Sequence, residues 1–373
     1  MNEIVPLQYY KLVYHWTIFA ICILTSLYYQ ANPGCTKLLR KNSVIFPFLF
    51  AIILIIYIGL RECSWLFWDM MLYRHLWTIT DADSYSFFFS FRSEWFFSLV
   101  VAFSKKMVPD VQFFFLLVAI IYIGCQFWAC KRLLWENVWL AILFVFFSYQ
   151  FFPFATNGIR NGMGAAFIML SISFFCDRNK IGFIIGSFFF LIALGCHRSL
   201  IVPMAALMVS LFVIKDIKYA IYIWLICIVL SIFTGSTFLN MMTGMGFDDR
   251  MSTYSAAGEK TMSQFSHTGF RWDFLLYSAM PVWLAWYVRY KGIVDRTFTL
   301  LANTYIIANS FWVMVCRVAY SNRFAYLSWF MYGLVMAYAV VRVPIWKNQD
   351  RAAGNILMAH SIFTMIMFMI GRF

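Results

Sequence analysis

Residues 111–129 read VQFFFLLVAIIYIGCQFWA, nineteen positions without a single charged side chain. About 20 apolar residues are enough to carry a helix through the hydrocarbon core of a bilayer. The stretch is therefore expected to be a membrane-spanning helix. Reading outward from it, comparable runs occur at 12–29, 44–60, 137–154, 158–176, 181–196, 200–214, 218–235, 274–290, 298–316, 324–342 and 355–371. The whole composition agrees: 63% hydrophobic, 21% aromatic and 12% charged, against about 25% charged in a soluble domain. That balance excludes a cytosolic enzyme, a disordered chain, a collagen-like fibre and a secreted disulfide scaffold. The fold class is all-α, a polytopic transmembrane helix bundle of about 12 helices, expected to form one integral membrane domain over 1–373.

Two segments interrupt the pattern. Residues 61–110 are aromatic and of mixed polarity, and the apolar run 95–103 is too short to cross. This segment is read as interfacial or re-entrant helices in the first long outer loop. Residues 236–273 form the one long polar stretch, with Gly244, Gly246, Asp248, Asp249, Arg250 and His267. A loop of that length is usually functional. The start of the chain, Met-Asn-Glu-Ile-Val-Pro, lacks a basic n-region and a small-residue cleavage site, so the first run is expected to be retained.

The net charge of +13 would suggest nucleic acid on a soluble protein; here it is read as topology, with no nucleic-acid partner. Loops 30–43, 130–136, 177–180, 215–218, 289–297 and 342–351 hold 15 Lys/Arg against 5 Asp/Glu, a net +10. Such dense short loops face the cytoplasm. Both termini, 61–110 and 236–273 then lie outside. Nine cysteines without a C-x-x-C pair sit mostly in apolar runs and are read as packing residues.

The outer side carries arginines against the prevailing bias: Arg61, Arg160, Arg198, Arg271, Arg317 and Arg323. An Arg fork grips phosphate through two parallel hydrogen bonds and keeps its charge. Several together suit an anionic, lipid-attached headgroup such as a pyrophosphate. Arginine at a helix end also snorkels, and Arg198 and Arg317 follow helix C-termini, where the dipole favours a cation. Arg160, in Asn157-Gly158-Ile159-Arg160-Asn161-Gly162, opens a helix whose free N–H groups attract phosphate; Asn157 has the alternative of a plain N-cap. His197, beside Arg198, is the candidate general base, with Glu62, Asp69, Asp81, Asp83 and Glu94 as alternative bases. Asp81-Ala82-Asp83 has the spacing of a metal-binding D-x-D, but two acids at that spacing are weak evidence and surface solvation accounts for them better. No metal site and no cofactor are expected. Trp65, Phe67, Trp68, Tyr73 and Trp77 are read by default as an interfacial belt, although aromatic platforms also suit sugar rings. Serine-hydrolase, P-loop and His-x-x-His patterns are absent.

Taken in order, Gly59-Leu60-Arg61, Asp69 with Tyr73 four on, Glu94, Gly158-Ile159-Arg160-Asn161, His197-Arg198-Ser199-Leu200, Gly269-Phe270-Arg271-Trp272-Asp273-Phe274 and Asn322-Arg323-Phe324 resemble the EpsG family of Wzy-type exopolysaccharide and O-antigen polymerases. The similarity runs from about residue 55 onward. Phe67-Trp68 stands where a Gly-Thr pair usually precedes the aspartate, and Asn161 where glutamine is usual. The resemblance implies a GT-C-like fold and an active site facing the periplasm from the bacterial inner membrane. It implies a substrate of undecaprenyl-pyrophosphate-linked oligosaccharide units. The polymer formed is exopolysaccharide, capsule or O-antigen, and a flippase and a chain-length regulator are expected partners. On that basis His197, Arg160, Arg61 and Asp69 are the expected catalytic residues, working without a metal. Arg323, Arg198, Arg271, Arg317, Tyr73 and Glu94 are the expected substrate contacts. The rivals are an O-antigen ligase, a polyprenyl-phosphate-sugar transferase, and a flippase or other transporter. A transporter places its charges at the midplane, whereas these helix centres are nearly free of charge.

Overall fold

The protein is described as a computed structural model over residues 5–32, 44–81, 94–234, 269–317 and 320–370. Most of the long polar stretch 236–273, with Gly244, Gly246, Asp248, Asp249, Arg250 and His267, lies outside the described residues, as does Asp83. The described residues contain helices and turns but no strand. The helices are α1 (Leu7–Ala31), α2 (Ile45–Gly59), α3 (Met70–Ile79), α4 (Trp95–Met107), α5 (Val111–Leu133), α6 (Val138–Phe146), α7 (Phe151–Thr156), α8 (Ile159–Phe175) and α9 (Lys180–Leu194). They continue with α10 (Ile201–Phe212), α11 (Ile217–Thr234), α12 (Trp272–Tyr290), α13 (Arg296–Met314), α14 (Asn322–Trp329), α15 (Tyr332–Arg342) and α16 (Gln349–Met369).

Side-chain caps start several of these helices at the polar loops. The Asp110 carboxylate accepts from Gln112 N–H at 2.9 Å, Asn179 from Gly182 N–H at 2.6 Å, Asp295 from Phe298 N–H at 2.7 Å and Asn348 from Arg351 N–H at 3.1 Å. Each satisfies an orphan donor of its first turn. Two runs that read as single helices are broken. The run 137–154 divides into α6 and α7, because Pro153 has no N–H to offer the carbonyl four residues back. The run 324–342 tightens at Phe330 and Met331, where Met331 N–H donates to Ser328 O, three residues back, at 3.1 Å. Segment 61–110 contains a short 3-10 turn (Trp65–Phe67), α3 and α4.

Among the described residues, four helices are long and apolar enough to cross a membrane: Leu7–Ala31, Val111–Leu133, the bent α14–α15 and Gln349–Met369. Shorter apolar helices stand beside them. Large apolar side chains such as Leu24, Ile45, Ile184, Ile226 and Leu276 are exposed, far beyond what a soluble monomer leaves to water. This is a membrane protein.

The chain divides into two compact units, residues 1–197 with 340–373, and residues 198–339. In the first unit α1 packs on α16, and α5 packs on α2 and α8. The α2–α5 approach requires Gly59, where a Cβ would lie 2.8 Å from the Leu116 Cα. Small residues at such crossings are the usual device of helix packing in lipid. In the second unit α10 and α11 pack on α13, and a buried polar circuit fastens the helices. The Asn309 amide donates to Ser278 Oγ at 3.0 Å and Ser328 Oγ at 2.9 Å, and accepts from Trp224 Nε1 at 2.8 Å. Trp329 Nε1 donates to the same Ser278 oxygen at 2.8 Å.

Candidate active site

Three residues far apart in the chain meet in the first unit. Glu94 stands at the N-cap of α4, where a carboxylate would ordinarily accept from its own helix, but its side chain makes no cap hydrogen bond. One oxygen, Oε2, instead accepts from Arg160 Nη1 at 2.5 Å. The other, Oε1, lies 3.5 Å from His197 Nε2. The side chains of Arg160, Glu94 and His197 are 24%, 19% and 19% exposed. They are reachable yet shielded, where charge interactions exceed their strength in bulk water.

Local structure explains the meeting. The first-turn N–H groups of α4 at Phe96 and Phe97 donate to Gly195 O at 2.9 and 3.3 Å. That docks the start of α4 against the end of α9 and brings Glu94 to His197. Gly195 is required here, since a Cβ would sit 2.4 Å from the Trp95 indole. Arg160 occupies the first turn of α8, behind the Gly158 N-cap. Its guanidinium lies 5.7 Å from the Tyr73 ring and 5.8 Å from the Phe97 ring, two rings packed edge to face. Arg160 also interacts with the Tyr73 hydroxyl. Burial pushes the Tyr73 phenol up, against the opposing pull of Arg160. Arg160 Nε is buried without a hydrogen-bond partner, so the fork is only partly used.

Asp69 borders this cluster. Its N–H donates to the Asn157 side chain at 2.9 Å, which ties α3 to the α7–α8 corner. Asn157 is therefore a tether and the C-cap of α7, and Gly158 takes the N-cap of α8. The preceding residue, Trp68, has φ 43°, a conformation costing a bulky residue about 1–3 kcal/mol and a mark of constraint next to Asp69.

Arg61, expected among the catalytic residues, is enclosed between α2 and α7. It is 1% exposed, and donates from Nη1 to Ile58 O at 2.5 Å and from Nη2 to Thr156 O at 3.1 Å. It lies against Phe67 and Phe115 at 5.3 and 5.2 Å. Burial pulls its guanidinium down to about 10, still cationic at neutral pH. Its observed partners are backbone carbonyls of α2 and α7.

The remaining arginines belong to the second unit. Arg271 is held by both Asp273 oxygens at 3.0 and 2.8 Å and covers the Phe274 ring at 3.5 Å. Arg317 donates to Ser231 O and Ile232 O at 3.2 and 3.1 Å, serving the last carbonyls of α11 as helix-end cations do. Arg323 lies 5.4 Å from the Tyr320 ring. Arg198 is exposed at a 3-10 turn. No three His, Cys, Asp or Glu side chains converge as a metal cage among the described residues.

The ordered constellation of Gly59 to Arg61, Asp69, Tyr73, Glu94, Arg160 and His197 is thus placed within one unit. A model of the EpsG family matches residues 44–372, nearly the whole chain. The chain belongs to the EpsG family. EpsG proteins are exopolysaccharide polymerases of the Wzy type, glycosyltransferase-type enzymes of polysaccharide biosynthesis. Comparison with curated proteins gives no match, and comparison with solved structures gives none. In this EpsG chain, sequence reading named Glu94 as a substrate contact but missed that it bridges Arg160 and His197. It also missed Phe97 and the Asn157 tether. A carboxylate at a helix start was the one available signal, and an N-cap explains that signal without chemistry.

Proposed function

We propose that this chain polymerises undecaprenyl-pyrophosphate-linked oligosaccharide units at the periplasmic face of the bacterial inner membrane, as a multi-pass glycosyltransferase of GT-C kinship. The observation that carries the reading is the single carboxylate shared by Arg160 and His197. A hydroxyl of the incoming lipid-linked unit attacks the anomeric carbon of the growing chain. A new C–O bond forms and the bond to the donor pyrophosphate breaks. The electron pair leaves with the lipid pyrophosphate, which is stable as an anion and needs no proton. Arg160 stabilises that developing charge, with the free N–H groups of the α8 start adding to the field. No step in this scheme calls for a metal or an organic cofactor.

The acceptor proton goes to His197. Its Nε2 faces Glu94, so an Nε2–H donated to the carboxylate leaves Nδ1 as the base. Tyr73 and Phe97 form the aromatic wall beside the reacting sugar. Asp69 and Arg61 act as positioning residues, one at the α3 tether and one between α2 and α7. Arg198, Arg271, Arg317 and Arg323 are assigned to headgroup binding, with a flippase delivering units and a chain-length regulator as partners. The basic loops orient the chain with this site outward.

The test is deletion of the gene followed by complementation with His197→Ala and Arg160→Ala, reading glycan length at the surface. A lost polymerase leaves single repeat units. A lost ligase leaves polymer unattached to lipid A, and a lost flippase leaves no surface glycan; either pattern overturns the proposal.

A further inference from the structure

In the structure Glu94 holds Arg160 and His197 unequally. Arg160 is bound at 2.5 Å, and His197 stands at 3.5 Å, beyond a good hydrogen bond. Arg160 retains a buried, unpartnered Nε, and Glu94 forgoes the cap of its own helix. The carboxylate therefore occupies the cation on which a substrate anion would bind. A pyrophosphate carries more charge than a carboxylate and can engage two donors of the fork at once. It competes well for Arg160, while Glu94, rooted at the start of α4, has His197 within reach when it yields.

We infer that Glu94 is a displaceable latch, held on Arg160 and passing to His197 when a lipid pyrophosphate takes its place. Arrival of the donor anion then closes the 3.5 Å between Glu94 and the imidazole into a full hydrogen bond. His197 is aligned, and its protonated form stabilised, more strongly when there is a leaving group to expel. Glu94 is thus a positioning residue that couples phosphate occupancy to base strength. This inference rests on the reading of the cluster as the polymerase site.

Inorganic pyrophosphate binding to the full-length chain in detergent, measured by calorimetry, separates the two ideas. It is paired with turnover of lipid-linked units extracted from cells that lack the chain. Glu94→Gln removes the competitor, so pyrophosphate should bind about tenfold tighter while kcat falls about 100-fold, the scale of general-base assistance. Glu94→Asp spans less distance, so it should tighten binding less and keep more turnover, and it decides the matter if Glu94→Gln does not fold. Weaker or unchanged pyrophosphate binding in the folded variant overturns the latch, because a carboxylate that merely organises Arg160 gives that result. Arg160→Ala tests the underlying reading: it should abolish pyrophosphate binding. Undiminished binding there sinks the polymerase site itself. Lost binding with no tightening in the Glu94 variants sinks the latch alone.

Discussion

Two polar clusters in this largely apolar protein solve opposite problems. The Asn309 circuit of the second unit is neutral and buried, and its amide spends both hydrogens and its oxygen on neighbours. The Glu94 cluster of the first unit is charged and partly open, and leaves a donor of Arg160 unspent. A closed circuit lowers the energy of one arrangement and has nothing left for a ligand. An open, charged one keeps binding capacity at the cost of local stability. The contrast separates a residue's contribution to standing structure from its contribution to chemistry.

Disabling each cluster in turn separates the two roles. Arg160→Ala and His197→Ala should each reduce polymerisation by about 100-fold or more in detergent-solubilised protein, while thermal melting stays close to the parent. Asn309→Ala should do the reverse. It strands Trp224 Nε1 and removes two hydrogen bonds to serines, for a loss of about 3 kcal/mol, with turnover per folded molecule retained. A large activity loss in Asn309→Ala at unchanged stability would erase the distinction.

Arg61 tests a middle case, a charge enclosed like the Asn309 circuit. Arg61→Met should cost about 2 kcal/mol, because Thr156 O loses its donor, visible as a lower melting temperature. Loss of activity in this variant should track the fraction unfolded. Gly195→Ala pushes the Trp95 indole from the α4–α9 dock, so kcat should fall by about tenfold with only a small melting shift.

The smallest effect lies at the exposed Arg289–Asp216 pair, 2.7 Å apart. Hydrogen bonding to Arg289 holds the Asp216 carboxyl below its ordinary value. Its stabilising contribution is present above about pH 4, the ordinary carboxylate value, and is lost as the pH falls through the lowered folded value. Salt screens such exposed charges. Asp216→Asn should leave the neutral-pH melting point nearly unchanged and flatten the acid limb slightly.

The helices were legible because hydropathy acts over twenty neighbouring residues, and a bilayer leaves a backbone few alternatives. Leu7–Ala31, Val111–Leu133 and Gln349–Met369 all coincide with apolar runs. The breaks within 137–154 and 324–342 depend on single turns, which average hydropathy passes over. The candidate site was legible in its residue types and not in its wiring. Arg160 and Glu94 are separated by 66 positions, and only the α4 docking on Gly195 brings them together. Arg61 makes the same point: the Thr156 carbonyl it donates to lies 95 positions downstream.

That separation also constrains how the chain is assembled. As synthesis proceeds, α2 is complete long before Thr156 exists to receive Arg61. An unsheltered guanidinium is costly within lipid, so until α7 arrives the end of α2 must keep this charge at the water boundary. Closure of Arg61 onto Thr156 O therefore cannot precede the meeting of α2 and α7.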